Sequence, residues 1–155
     1  MGVTESKDIA AEMARDCLSA RLRLINRVIT SVYDEALRPL GIRVSQMNIL
    51  VAVASYGPIN PSTVCRALHL DPSTLSRNLE RMKKKGWMEI VPGPDARTHL
   101  LRVTRGGLQT IQAAYPAWAK AQTKALSILG QAGADTIAGV GDKLLFSGVK
   151  TSGGV

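Results

Sequence analysis

Residues 71–86, DPSTLSRNLERMKKKG, combine two chemistries at helical spacing. The opening turns carry small hydroxyl residues, Ser73, Thr74 and Ser76, which can donate and accept hydrogen bonds without bulk. Arg77 follows, and a guanidinium can reach guanine O6 and N7 bidentately. Arg81 and Lys84 lie further along, where a helix lying in the major groove passes closer to phosphates than to bases. Hydroxyls near a helix start also serve as caps, and lysines near its end complement the helix dipole, so this stretch alone leaves both accounts open.

The same stretch specifies how it is held. Asp71 is placed to cap, Pro72 occupies the first helical position, Leu75, Leu79 and Met82 form a buried stripe, and Gly86 ends the helix. Asn78 stands beside that stripe and is expected to turn toward the protein. Upstream, Asn60 and Pro61 open a short helix, PSTVCRALHL, with Val64 and Leu68 facing inward. It offers Ser62, Thr63 and Arg66 to a nucleic-acid backbone, and its N-terminal amides can donate to phosphate. His69, Leu70 and Asp71 separate the two helices, the turn length of a helix-turn-helix, and His69 reads as a structural turn residue.

Downstream, WMEIV (87–91) and HLLRVT (99–104) read as two strands around PGPDART. That tip is longer than a tight turn requires, so it projects as a wing. Arg97 at the tip suits the minor groove, where narrow A·T-rich stretches attract cations.

Positioning these segments requires a scaffold, and the remaining sequence supplies helices. A three-or-four spacing of Leu18, Leu22, Ile25, Ile29, Val32 and Ala36 predicts one long helix from Ser6 to about Leu37, ended by Pro39 and Gly41. Some 30 residues span roughly 45 Å at the helical rise, longer than a small domain is wide, so part of it needs a partner such as a second subunit. SQMNILVAVASY, capped by Ser45, is apolar on every side and reads as a buried central helix. Thr104 caps a helix from 105, weakened at Gly106 and Gly107 and expected to kink or divide at Pro116. A final helix is expected within ADTIAGVGDKLLF, and the tail 147–155 is expected to be flexible.

Charge is uneven along the 155 residues. Residues 62–105 hold nine cations and four anions, a balance of +5 out of a net +8. That concentration points to a polyanion, nucleic acid before a membrane surface. No apolar run is long enough to cross a bilayer, no signal core opens the chain, and two cysteines make no disulfide framework, so a reducing cytoplasm is the expected setting.

With the order long helix, buried helix, helix-turn-helix, hairpin and terminal helices established, the chain resembles the multiple-antibiotic-resistance-regulator (MarR) family of winged-helix transcription factors. The resemblance covers roughly residues 15–146 and rests on YDEALRPLGIRVSQMNIL, LHLDPSTLSRNLERMKKKGWMEI and DARTHLLRVTRGG. The last carries the family's Asp-x-Arg wing pattern as Asp95 and Arg97. It implies a mainly α fold with a small β-hairpin wing. The winged helix-turn-helix would occupy 41–104, flanked by dimerisation helices at 1–40 and 105–150. It further implies a homodimer on double-stranded DNA, repressing or activating transcription. Helix 71–86 would lie in the major groove and the hairpin near the minor groove, with Asp95 paired to an arginine as a brace.

The family cleft, between the long first helix, the second helix and the helix from 105, implies a small-molecule effector. By location alone Arg15, Arg21, Arg23, Met47, Tyr56 and Trp118 would line it, and the arginines would suit an anion or aromatic acid. Peroxide-sensing members carry a reactive cysteine near Cys17, with two tyrosines where this chain has Val44 and Met47. A buried, inert Cys17 is therefore expected, with redox sensing the alternative; Cys65 reads as packing. His69 and His99 lack metal-ligand spacing, and no nucleophile triad, phosphate loop or carboxylate pair appears. Neither an enzyme nor a cofactor is expected. A winged-helix protein-interaction module without specific DNA binding is the further alternative.

Overall fold

The computed structural model describes the backbone of residues 3–95 and 97–149 and the side chains of 5–95 and 97–144. Six helices and one hairpin follow in order: α1 (Val3–Asp16), α2 (Leu18–Leu37), a 3-10 turn (Arg38–Leu40), α3 (Val44–Tyr56), α4 (Pro61–Leu68), α5 (Pro72–Lys84), β1 (Met88–Pro92), β2 (His99–Val103) and α6 (Arg105–Val149). This is a mainly helical winged helix-turn-helix.

The apolar periodicity converges on one core. Leu37, Ile42, Ile49, Leu50, Val53 and Val64 from the front half meet Leu75, Met82, Trp87, Leu101 and Ala114 from the rest. Met82 and Leu50 are fully buried, and each contributes roughly 1.5–3 kcal/mol relative to exposure. The second half of α2 packs on α6, where Ala114, Ala121 and Ala125 are buried and let the helices approach closely. Across that seam the Tyr33 hydroxyl hydrogen-bonds to the Gln122 side-chain oxygen. β1 and β2 pair antiparallel with Ile90 opposite Leu101, and Ile59 adds a third rung by exchanging backbone hydrogen bonds with Leu101 at 3.0 and 2.8 Å.

Several expectations about the helices are corrected. The long first helix is two helices, because Cys17 leaves the helical region at φ −70°, ψ 103°. The groups freed there are satisfied locally: the Cys17 sulfur accepts from the Ala20 amide at 3.4 Å, and the Arg21 guanidinium donates to the Arg15 carbonyl. Residues 5–28 are exposed, so no core packing holds α1 and α2 collinear. At α3 the N-cap is Arg43 rather than Ser45. Asp34, reaching from α2, accepts from the Val44 amide at 2.7 Å, while Gln46 accepts from the Arg43 amide at 3.1 Å, a contact that satisfies the buried Gln46 side chain. Nor is α3 buried on every side, since Val51 and Tyr56 are exposed.

Pro116 sits inside α6 without dividing it; the non-helical residue is Gly130, at φ 68° and ψ 159°. Pro116 and Gln112 are both exposed, so water can satisfy the Gln112 carbonyl that loses its amide partner. A positive φ with extended ψ is open to glycine at little steric cost. The expected final helix is the continuation of α6 past this kink. Residues 147–149 of the expected tail belong to α6, and the remainder of the tail lies outside the described residues.

Candidate nucleic-acid interface

The helix-turn-helix is built from α4 and α5. Asn60 caps α4, its side-chain oxygen accepting from the Ser62 amide at 2.9 Å and the Ser62 hydroxyl at 2.8 Å. His69 ends the helix in the left-handed region at φ 49°, and Leu70 donates back to the Cys65 carbonyl at 2.9 Å. This turns the chain sharply into α5, as a structural turn residue should. Thr63 is half-buried and accepts from Arg66 at 3.2 Å, while Arg66 stays exposed.

α5 is anchored by Leu75, Leu79 and Met82, which are buried, against a mean composition that is otherwise polar. Asp71 occupies the N-cap position, but its backbone carbonyl rather than its side chain closes the first turn, accepting from Thr74 and Leu75 at 3.0 Å each. At the far end Gly86, at φ 71°, donates to the Lys83 carbonyl at 2.9 Å, and Trp87 donates to the Met82 carbonyl at 2.9 Å. With both ends fixed, Ser73, Ser76, Arg77, Arg81 and Lys84 are exposed. Thr74 is half-buried, and Asn78 donates to the Thr74 carbonyl at 2.9 Å, turned back onto its own helix.

The KKK run divides in a way its spacing did not reveal. Lys85 lies over the Trp87 ring, 4.7 Å from its centroid, and its ammonium donates to the Gly41 carbonyl. It therefore braces α5 against the turn before α3, whereas Lys83 and Lys84 make no such contact among the described residues. A residue 44 positions away carries this interaction, so no local pattern could have disclosed it.

In the wing, Asp95 accepts from the Arg97 amide at 2.9 Å, the Thr98 amide at 2.7 Å and the Thr98 hydroxyl at 2.7 Å. The Thr98 hydroxyl, then the Arg97 amide, hold the carboxyl below the usual aspartate range. Asp95 thus braces the hairpin, but through amides and a hydroxyl rather than an arginine side chain; short local spacing makes that bond the nearer one. The arginine that does form an ion pair here is Arg102, 2.9 Å from Glu89 across the strands. Arg97 and His99 are exposed.

Behind the helix-turn-helix runs a groove of about 540 Å³ between α3, α4 and α6. Met47, Tyr56 and Trp118 line it, together with Val51, Leu68 and Tyr115. Tyr115 and Trp118 stack with centroids 5.9 Å apart. Arg15, Arg21 and Arg23 are not on its walls, a correction to the expected cleft: they stand on the exposed stretch 5–28 of α1 and α2, whereas the groove is lined by α3, α4 and α6. Cys17 is exposed rather than buried, as is the whole stretch 5–28 around it. Cys65 is half-buried, and burial followed by the nearby Asp71 charge pushes its thiol upward, as a packing cysteine requires.

Among the described residues no group of three or more His, Cys, Asp or Glu is placed to hold a metal ion, and no helix is long and apolar enough to cross a membrane.

Comparison with known proteins matches this architecture. Residues 40–97, the 3-10 turn through the wing, match the model of the MarR family. The chain is 32% identical over 91 residues to the multiple antibiotic resistance protein MarR of Escherichia coli strain K12, a match covering 58% of this chain and 63% of that protein. The match spans somewhat under two thirds of the length of that protein, as it does for other curated relatives. A crystal structure of the Mycobacterium tuberculosis transcriptional regulator MosR in complex with DNA is 30% identical, with a TM-score of 0.70, over 83% of this chain and 96% of that one. A mutant of E. coli MarR in complex with operator DNA superposes with a TM-score of 0.76 at 24% identity, over 86% of this chain and 96% of that one, a likeness of fold. Helix order, hairpin wing and sequence agree, and the chain belongs to the MarR family.

Proposed function

We propose that this chain is a sequence-specific DNA-binding transcriptional regulator of the MarR type that works in the cytoplasm as a homodimer on a pseudo-palindromic operator, repressing or activating transcription. The observation that carries this reading is the outer face of α5: a buried stripe fixes the helix, and Ser73, Arg77 and Lys84 stand exposed along the opposite side. Small hydroxyls at the leading end allow close approach to base edges, and cations further back meet phosphates. Ser62, Thr63 and Arg66 flank the same approach, and Arg97 at the braced wing tip extends it toward the minor groove.

The division into a winged helix-turn-helix at 41–104 and dimerisation helices at 1–40 and 105–150 belongs to this proposal. Its support is an apolar stripe left open: Leu18, Leu22 and Ile25 are 71%, 64% and 37% exposed, although Val32 on the same stripe is buried. A second copy is the partner that such a stripe requires.

Release by a small ligand is the remaining part. The groove volume falls within the range of ligand sites, roughly 300–1,000 Å³. Among the described residues its walls carry aromatic rings and no charged side chain, which favours an aromatic effector over an anion. No catalytic role is assigned. The exposure of Cys17 favours a thiol switch as the second reading; mass spectrometry after mild peroxide tests it, and an unmodified thiol with intact DNA binding rejects it.

Two variants test the roles assigned to α5. Arg77→Ala should relax preference at one base position per half-site and cost about 1–3 kcal/mol there. Lys84→Ala should weaken binding evenly across sequences and lower the salt slope by about two, one phosphate per subunit. Equal losses on every sequence for both variants would overturn the assignment.

A further inference from the structure

α5 carries one acid among its cations, and that acid stands in the middle of the outer face. Glu80 is exposed, as are Ser73, Arg77 and Lys84. At 100° per residue these four, spaced i, i+4, i+7 and i+11, form a single ridge opposite Leu75, Leu79 and Met82. The ordinary account of such a glutamate is a solvated pair with the lysine four residues on, the favourable orientation on a helix. The structure does not show that pair. The ion pairs among the described residues are Arg15–Asp16, Glu89–Arg102 and Glu35–Lys124, and Glu80 is in none of them.

A carboxylate on a ridge built to meet DNA repels phosphates and accepts hydrogen bonds only. It is tolerable there if it faces a base-edge donor. In the major groove guanine presents N7 and O6 acceptors and thymine an O4 acceptor, all of which a carboxylate opposes. Adenine sets its N6 amino group beside the N7 acceptor. Cytosine offers N4–H₂ without an acceptor of its own alongside. Glu80 lies about 4.5 Å along the helix axis from Arg77, close to the 3.4 Å step between stacked bases.

We propose that Glu80 is a specificity-determining residue, accepting a hydrogen bond from a cytosine N4 amino group next to the base pair read by Arg77, and lowering affinity for all other DNA through its charge. This rests on the proposed role of α5 in DNA binding. Glu80 selects by what it refuses: a site without the donor leaves a desolvated carboxylate facing acceptors.

The test is selection from a random duplex pool by the wild-type protein, Glu80→Ala and Glu80→Gln, with affinities then measured on the selected site and on an unrelated duplex. The wild-type motif should contain a cytosine within two base pairs of the guanine lost in Arg77→Ala. Glu80→Ala should reduce preference for that cytosine by roughly tenfold and bind the unrelated duplex more tightly. Glu80→Gln should move the preference toward adenine, because an amide bonds N6 and N7 together. A wild-type motif that both variants reproduce unchanged would overturn the role of Glu80 and leave α5 as the reading helix. A wild-type protein that selects no motif would instead overturn the DNA-recognition reading on which it stands.

Discussion

Glutamate placed at both Leu22 and Ile25 should give a folded chain that sediments as a monomer and binds its operator roughly a thousandfold more weakly. The two side chains lie on the exposed first half of α2, outside the core of α3, α4, α5 and the hairpin, so the fold has no reason to fail. What the charges remove is the apolar surface available to a second subunit. Two linked recognition helices gain about 10²–10⁴ in avidity over one through effective concentration alone. Separating them forfeits that factor while leaving every contact of α5 intact. Sedimentation and a binding titration on the same samples check both halves. A variant that remains dimeric with wild-type affinity would place the subunit contact elsewhere.

Gly107→Ala should be the most damaging glycine-to-alanine change among the described residues. A Cβ at Gly107 would lie 2.2 Å from the Trp87 carbonyl oxygen and 2.6 Å from a Val103 methyl, so α6 could not start where it does. The Thr104 cap that donates to the Gly86 carbonyl and accepts from the Gly107 amide would be pushed away with it. Overpacking against backbone of this kind costs about 3 kcal/mol, which for a domain of this size lowers Tm by roughly 6–12 °C. Gly133→Ala is the control: its nearest neighbour would be the Leu129 Cβ at 3.7 Å, an ordinary contact, and no loss is expected. Thermal unfolding of both at one protein concentration decides it; equal Tm values would mean that the α6–hairpin junction yields without cost.

The two glycines show where sequence reasoning succeeds and where it stops. α4 and α5 were legible because each is specified locally by a cap position, a proline at the first turn, a three-or-four stripe and a left-handed closing residue, and the hairpin by two strand-favouring runs around a Pro- and Gly-containing tip. Gly106 and Gly107 read only as weak helix formers, because the reason for Gly107 is the approach of Trp87, twenty residues earlier in the link between α5 and β1. The break at Cys17 was hidden for the opposite reason. The apolar spacing runs straight through it, and only the absence of packing beneath residues 5–28 lets the chain leave the helix there.

Two further side chains mark the same boundary. Pro116 announces a break that solvent absorbs, while Gly130, with nothing near its missing Cβ, takes the kink. At the interface the exposed cations of α5 followed from its stripe, but the capture of Lys85 by Gly41 and Trp87 depends on tertiary contacts. The apolar groove was approached through Met47, Tyr56 and Trp118, yet the arginines expected beside them stand on the exposed stretch of α1 and α2, and the groove draws its walls from α3, α4 and α6.

The central claim is that α5 reads sequence, twice, from one symmetric dimer. Selection of bound duplexes from a random pool by the unmodified protein tests it most directly. The account predicts a palindromic motif whose half-site centres lie about one helical turn apart, ~34 Å. Binding at low salt that enriches no motif would contradict it, because the cations of α5 and the wing would then be holding phosphates alone.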